Sequence, residues 1–91
     1  MPRPKLCRKV RFNPKALFFK PQGVPMAELE MVEINREEME TIRLKDVLGM
    51  DQVEAAKKMN TSQSTFQRIL SLTRKKISTA IVEGKAIKIE D

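Results

Sequence analysis

Apolar residues recur at Met39, Ile42, Val47 and Leu48, close to helical spacing. Asn35 precedes this run as a residue able to cap through its side chain, and Glu38 stands at the third helical position as its reciprocal partner. Ile34 before the cap and Met39 at the fourth position form a hydrophobic staple, and Gly49 stops the run. The spacing predicts a helix over residues 36–48. The pattern then restarts. Asp51 caps, Glu54 follows three residues on, and residues 52–59 predict a short second helix with Val53, Ala56 and Met59 on one face. Asn60 tolerates the left-handed conformation of a sharp turn. Ser62 caps a third helix over residues 63–82, with Phe66, Ile69, Leu70, Thr73, Ile77, Ala80 and Ile81 as its inward stripe and Gly84 as its stop.

The two ends read differently. Residues 1–23 hold four of the five prolines, which block helix interiors. Polar and apolar residues alternate over 9–12 (Lys-Val-Arg-Phe) and again over 86–89 (Ala-Ile-Lys-Ile), the pattern of short strands. A lone strand does not persist in water, so these two segments are expected to pair, within one chain or between two. Between them, Pro25, Met26, Leu29, Met31 and Val32 fit either a short helix or a turn leading into an extended stretch. The expected organisation is one domain over residues 1–91. It comprises a basic Pro-rich arm or strand (1–23), a helical core (35–82) and a C-terminal strand (85–90). The fold class is mainly α with a small β element from the terminal segments.

The second and third predicted helices, joined by a turn of about three residues, match a helix-turn-helix. Ala56 is small where the following helix crosses, Met59 and Phe66 fill the space between, and Ile69 anchors the next turn. With Phe66 inward, steps of about 100° per residue place Ser64, Gln67, Arg68, Ser71, Lys75 and Ser78 outward. Gln63, Ser64, Gln67, Arg68 and Ser71 are the candidate base-reading residues, since Gln and Arg make bidentate contacts with adenine and guanine. Ser62, Thr65, Arg74, Lys75 and Lys76 are the candidate phosphate contacts. The basic arm Arg3, Lys5, Arg8, Lys9 and Arg11 is a further candidate, able to enter a minor groove.

Charge supports this picture. The net charge is +6, unevenly spread: +7 over residues 1–23, −5 over 24–51, +5 over 52–82 and −1 thereafter. No acid occurs between Thr61 and Ile81. A basic chain favours an anionic partner, of which nucleic acid is the commonest. The acidic stretch from Glu28 to Glu40 is expected to face away from DNA, where it offers a surface to a basic protein.

Composition narrows the chemistry. The chain has no histidine and one cysteine, Cys7, which removes His-based general bases, Cys/His zinc sites and an intrachain disulfide. Its three glycines stand far apart, so no Gly-rich phosphate loop is present. No catalytic residue, metal site or cofactor is expected, and the protein is read as a non-enzyme. Cys7 lies among basic residues that favour a thiolate, the one place for redox or metal chemistry shared across a dimer. The six methionines read as adaptable core filling. No apolar run approaches the roughly 20 residues of a membrane span, and no secretory signal is visible, so a cytoplasmic protein is expected.

The corner also resembles the helix-turn-helix of the fourth conserved region of bacterial sigma factors. More closely, the chain resembles a family of small prokaryotic proteins, domain of unknown function 134, described as predicted DNA-binding proteins. The residues that carry the likeness span almost the full length: Arg3-Pro-Lys-Leu-Cys-Arg8, Phe19-Lys-Pro-Gln-Gly23, Glu54-Ala-Ala-Lys-Lys-Met59, Ser64-Thr-Phe-Gln-Arg-Ile-Leu70, Arg74-Lys-Lys76 and Gly84-Lys-Ala-Ile-Lys-Ile-Glu90. Asn60 stands where such corners usually carry glycine. The expectation is sequence-specific binding of double-stranded DNA by a homodimeric transcriptional regulator. Two alternatives stand beside it: a protein-interaction module binding RNA polymerase or another regulator, and an RNA-binding protein. The last lacks exposed aromatics for base stacking once Phe66 is assigned to the core.

Overall fold

The computed structural model describes residues 16–90. Strand β1 (Phe18–Phe19) leads through a loop and a 3₁₀ turn at Met26–Glu28 into β2 (Met31–Ile34). Helix α1 (Arg36–Ile42) continues as a π-helical segment, Arg43–Val47. Helices α2 (Gln52–Lys58) and α3 (Gln63–Glu83) follow, and β3 (Ala86–Ile89) completes the order. The architecture is mainly α with a small three-stranded sheet.

Local chemistry places the helix starts. Asn35 Oδ1 accepts the Glu38 N–H at 2.8 Å while Glu38 Oε1 accepts the Asn35 N–H at 2.9 Å, a complete capping box. Asp51 accepts the Glu54 N–H at 3.1 Å, and Ser62 Oγ accepts the Thr65 N–H at 3.1 Å. Helix α2 ends in a Schellman motif: Asn60 N–H bonds the Lys57 carbonyl and Thr61 N–H the Ala56 carbonyl, both at 3.0 Å. That motif needs one left-handed residue, and Asn60 takes φ 58. Gly84, at φ 69, ends α3 one residue beyond the expected boundary.

The sheet has the order β1-β3-β2. The C-terminal strand is therefore central. It runs antiparallel to β1, with Phe19 opposite Ile87, and parallel to β2, with Ile34 opposite Ile89. Both pairings lie within one chain. Of the two readings of Met26 to Val32, the turn into an extended stretch is the one adopted. The expected strand over residues 9–12 lies outside the described residues.

Phe66, Leu70, Met59, Ala55, Ala56 and Leu44 form the central apolar cluster, with Ile42 and Met50 packed at its margin. Several expected inward positions are corrected. On α2, Ala55 rather than Val53 completes the buried face with Ala56 and Met59; Val53 lies about 100° off that face and is exposed. After α1, Leu44 is buried but Leu48 is 54% exposed and Val47 72%. An uninterrupted α-helix would carry Leu48 onto the face of Leu44. The π segment, in which Leu48 N–H reaches back five residues to the Arg43 carbonyl, rotates it outward instead. Ile81, also expected inside, is 73% exposed; among the described residues it borders an open cleft lined by Phe19, Pro21 and Ile87.

Three polar side chains of α1 are buried in their place: Glu38, Glu40 and Thr41. Each is satisfied. Arg43 donates to both carboxylate oxygens of Glu40, at 2.9 and 3.0 Å. Thr41 Oγ1 donates to the Glu37 carbonyl at 2.8 Å. The Lys76 ammonium sits 3.0 Å from each oxygen of Glu38 and donates to the Glu33 carbonyl at 2.9 Å.

Candidate nucleic-acid interface

The turn at Asn60 sets α2 and α3 against each other over Ala55, Ala56, Met59 and Phe66, all buried. Phe66 fixes the rotation of α3. Once it points inward, the residues a third to two thirds of a turn away face solvent. Ser64, Gln67, Arg68, Ser71, Lys75 and Ser78 are all exposed, as is Gln63 at the helix start. The five candidate base-reading residues therefore share one open surface. Gln67 Nε2 donates to Ser71 Oγ at 3.1 Å along this stripe.

The candidate phosphate contacts divide. Lys75 lies on the open stripe. Ser62 and Thr65 stand at the N-terminus of α3, where helix polarity favours an anion, but their hydroxyls also build the cap: Ser62 Oγ donates to Thr65 Oγ1 at 3.0 Å. Arg74 is at the edge of the stripe, exposed but bound in a fork to Asp46 at 2.6 and 3.1 Å. That pairing, chiefly its hydrogen bonds, lowers the Asp46 pKa and raises that of Arg74.

Lys76 does not join the group. It lies about 100° from Lys75 around the helix and is tied to Glu38 and Glu33 on the other flank of α3. In this structure the Lys76 ammonium is engaged by the buried Glu38 and is not offered on the open stripe. The sequence offered two adjacent lysines; only the packing of α1 against α3 separates them. The expected arm residues Arg3, Lys5, Arg8, Lys9 and Arg11, and Cys7, lie outside the described residues.

Acidic side chains cluster elsewhere. Glu28, Glu33 and Glu37 belong to the 3₁₀ turn, β2 and the start of α1, and Glu30 to the link before β2, not to the exposed stripe of α3. Lys85 bridges Glu30 and Glu83 at 3.1 and 3.2 Å. Among the described residues no group of three or more Asp, Glu, Cys or His side chains could hold a metal ion. None of their helices is long and apolar enough to cross a membrane.

Comparison with known proteins places the chain among close relatives. It is 48% identical to a UPF0251 protein of Dehalococcoides mccartyi over 90 residues, covering 99% of this chain and 77% of that protein. A UPF0251 protein of Moorella thermoacetica is 50% identical over 90 residues, 99% of this chain and 60% of the relative. One from Thermoanaerobacter pseudethanolicus is 50% identical over the same length, 99% of this chain and 76% of the relative. No solved structure matches the chain. The matching family model, described as protein of unknown function DUF134, spans residues 1–91, and the chain belongs to that family.

Proposed function

We propose that α2, the Asn60 turn and α3 act as a helix-turn-helix that binds duplex DNA sequence-specifically, in the service of transcriptional regulation in the cytoplasm. The exposed stripe of α3 enters the major groove. Gln63, Ser64, Gln67 and Arg68 face the bases, with Ser71 beside Gln67 on the same stripe, while Lys75, the α3 N-terminus and Arg74, once it exchanges Asp46 for phosphate, meet the backbone. One observation carries this reading. A stripe of Gln, Ser, Arg and Lys side chains without a single acid is held outward by the fully buried Phe66. Solvated helix faces usually mix both charge signs. This one carries no acid of its own, and the Asp46 carboxylate at its edge is paired with Arg74.

A single corner covers few base pairs, so a homodimer on a two-fold site is part of the proposal. Fluorescence anisotropy with labelled mixed-sequence genomic duplex, titrated from low to high salt, tests the reading. Binding that weakens linearly in log–log form, by about 0.9 per phosphate contact, is the expected result. A flat response from the lowest salt upward eliminates it. RNA competing as well as duplex moves the assignment to RNA.

The second reading, a module that binds RNA polymerase or another regulator, is favoured by a different feature. Val47 and Leu48 stand exposed beside Met39 and Ile42, an apolar patch on the α1 side. Retained anisotropy signal in a Val47→Ser/Leu48→Ser variant separates that patch from DNA binding.

A further inference from the structure

Gln67 and Ser71 stand one turn apart on the exposed stripe, joined by the Gln67 Nε2 to Ser71 Oγ bond of 3.1 Å. A carboxamide carries two protons on Nε2 and an acceptor oxygen, Oε1. When Ser71 takes the Nε2 proton that points away from Oε1, the proton beside Oε1 stays available with it as an adjacent donor–acceptor pair. Of the four bases, adenine complements that pair in the major groove, through its N7 acceptor and N6 donor. Guanine presents two acceptors there, cytosine a donor, and thymine an acceptor beside a methyl group.

Resting on the duplex-DNA reading above, we infer that Gln67 is an adenine-reading residue and that Ser71 is a positioning residue that orients it, not a base reader itself. A glutamine free in solution loses rotamer freedom on docking. Gln67 is instead aimed before the duplex arrives, so less is lost at binding. Within α3 no carboxylate occurs between Thr61 and Ile81, and the Asp46 carboxylate at the edge of the stripe is engaged by Arg74. Both residues are exposed and absent from the core, so their replacement leaves the fold intact.

Selection from a randomised duplex library with the purified full chain tests the inference, followed by anisotropy on the selected site and its single-base variants. One position should prefer adenine over each other base by about 5- to 150-fold. Gln67→Ala should abolish the preference there and leave the other positions unchanged. Ser71→Ala should reduce it several-fold at that position alone, with salt slope and melting temperature unchanged, and Ser71→Thr should restore it. Gln67→Glu, which can only accept, should turn the preference toward cytosine N4. An adenine preference indifferent to Gln67→Ala, or a site equally well read after Ser71→Ala, overturns the inference while duplex binding stands. A library that yields no enriched duplex, with flat anisotropy, overturns the DNA reading and this inference with it.

Discussion

Lys75 and Lys76 are adjacent in the chain but lie on different flanks of α3, which makes their paired replacement by alanine a direct test of how α3 is oriented. Lys76 holds Glu38, whose side chain is only 4% exposed, and caps the Glu33 carbonyl. Lys76→Ala leaves that carboxylate with the Asn35 N–H but without its counter-charge. Removing one partner of a fully buried ion pair costs about 3–5 kcal/mol, and one charge-assisted hydrogen bond about 1.5–3 kcal/mol. The Lys76 side chain is 32% exposed, so water reaches the vacated position and the lower figure applies, about 2 kcal/mol. For a domain of this size each kcal/mol moves the melting temperature by about 4–8 °C, so a fall of about 8–16 °C is expected by far-UV circular dichroism. Lys75 is exposed on the open stripe of α3, the face proposed to meet DNA. Lys75→Ala should change stability by less than about 0.5 kcal/mol, while the salt slope of duplex binding becomes shallower by about 0.9. Lys76→Ala should leave that slope unchanged at temperatures where it is folded. An unshifted melting temperature for Lys76→Ala together with a shallower slope would refute the orientation.

Further outcomes follow from the same contacts. Asn60 in the Schellman turn tolerates glycine, whereas Asn60→Ala should cost about 1–2 kcal/mol in urea unfolding, because an alanine Cβ is crowded at positive φ. Phe66→Ala, at the centre of the core, should cost about 3–5 kcal/mol by the same measurement, a large share of the roughly 5–15 kcal/mol that holds a domain together. Because the Asp46 pKa is lowered in the folded chain, its pairing with Arg74 contributes stability above the ordinary carboxylate pKa and loses it as pH falls through the folded value. The pair is exposed, so the effect is at most about 1 kcal/mol, and the difference in melting temperature between the parent and Asp46→Asn should vanish on acidification. The same variant releases Arg74 and should tighten duplex binding at low salt; weaker binding would remove Arg74 from the phosphate contacts.

The chain's local chemistry was legible from its residues alone. Asn35 with Glu38, Asp51 ahead of Glu54, Ser62 ahead of Thr65, and Asn60 at a left-handed turn all act within three or four positions, so spacing suffices to place them. The exposed stripe of α3 was legible for the same reason: once Phe66 is inward, helix geometry dictates the rest. What lay beyond reach depended on partners distant in sequence. Periodicity assigns apolar residues to the interior, but among the described residues Val53 and Ile81 are left exposed, and the π segment turns Leu48 away. Glu38 and Glu40 are polar yet buried. Arg43 is near enough for its pairing with Glu40 to be guessed; Lys76, thirty-eight residues from Glu38, is not. Likewise Ala86–Ile89 reads as a strand from its alternation, while its place between β1 and β2 is a matter of tertiary pairing. Sequence determines where the backbone turns and which side of a helix is wet once one anchor is known. Which neighbours cover each face, and so whether a lysine holds a buried carboxylate or is offered to an anion, is decided only when the elements pack.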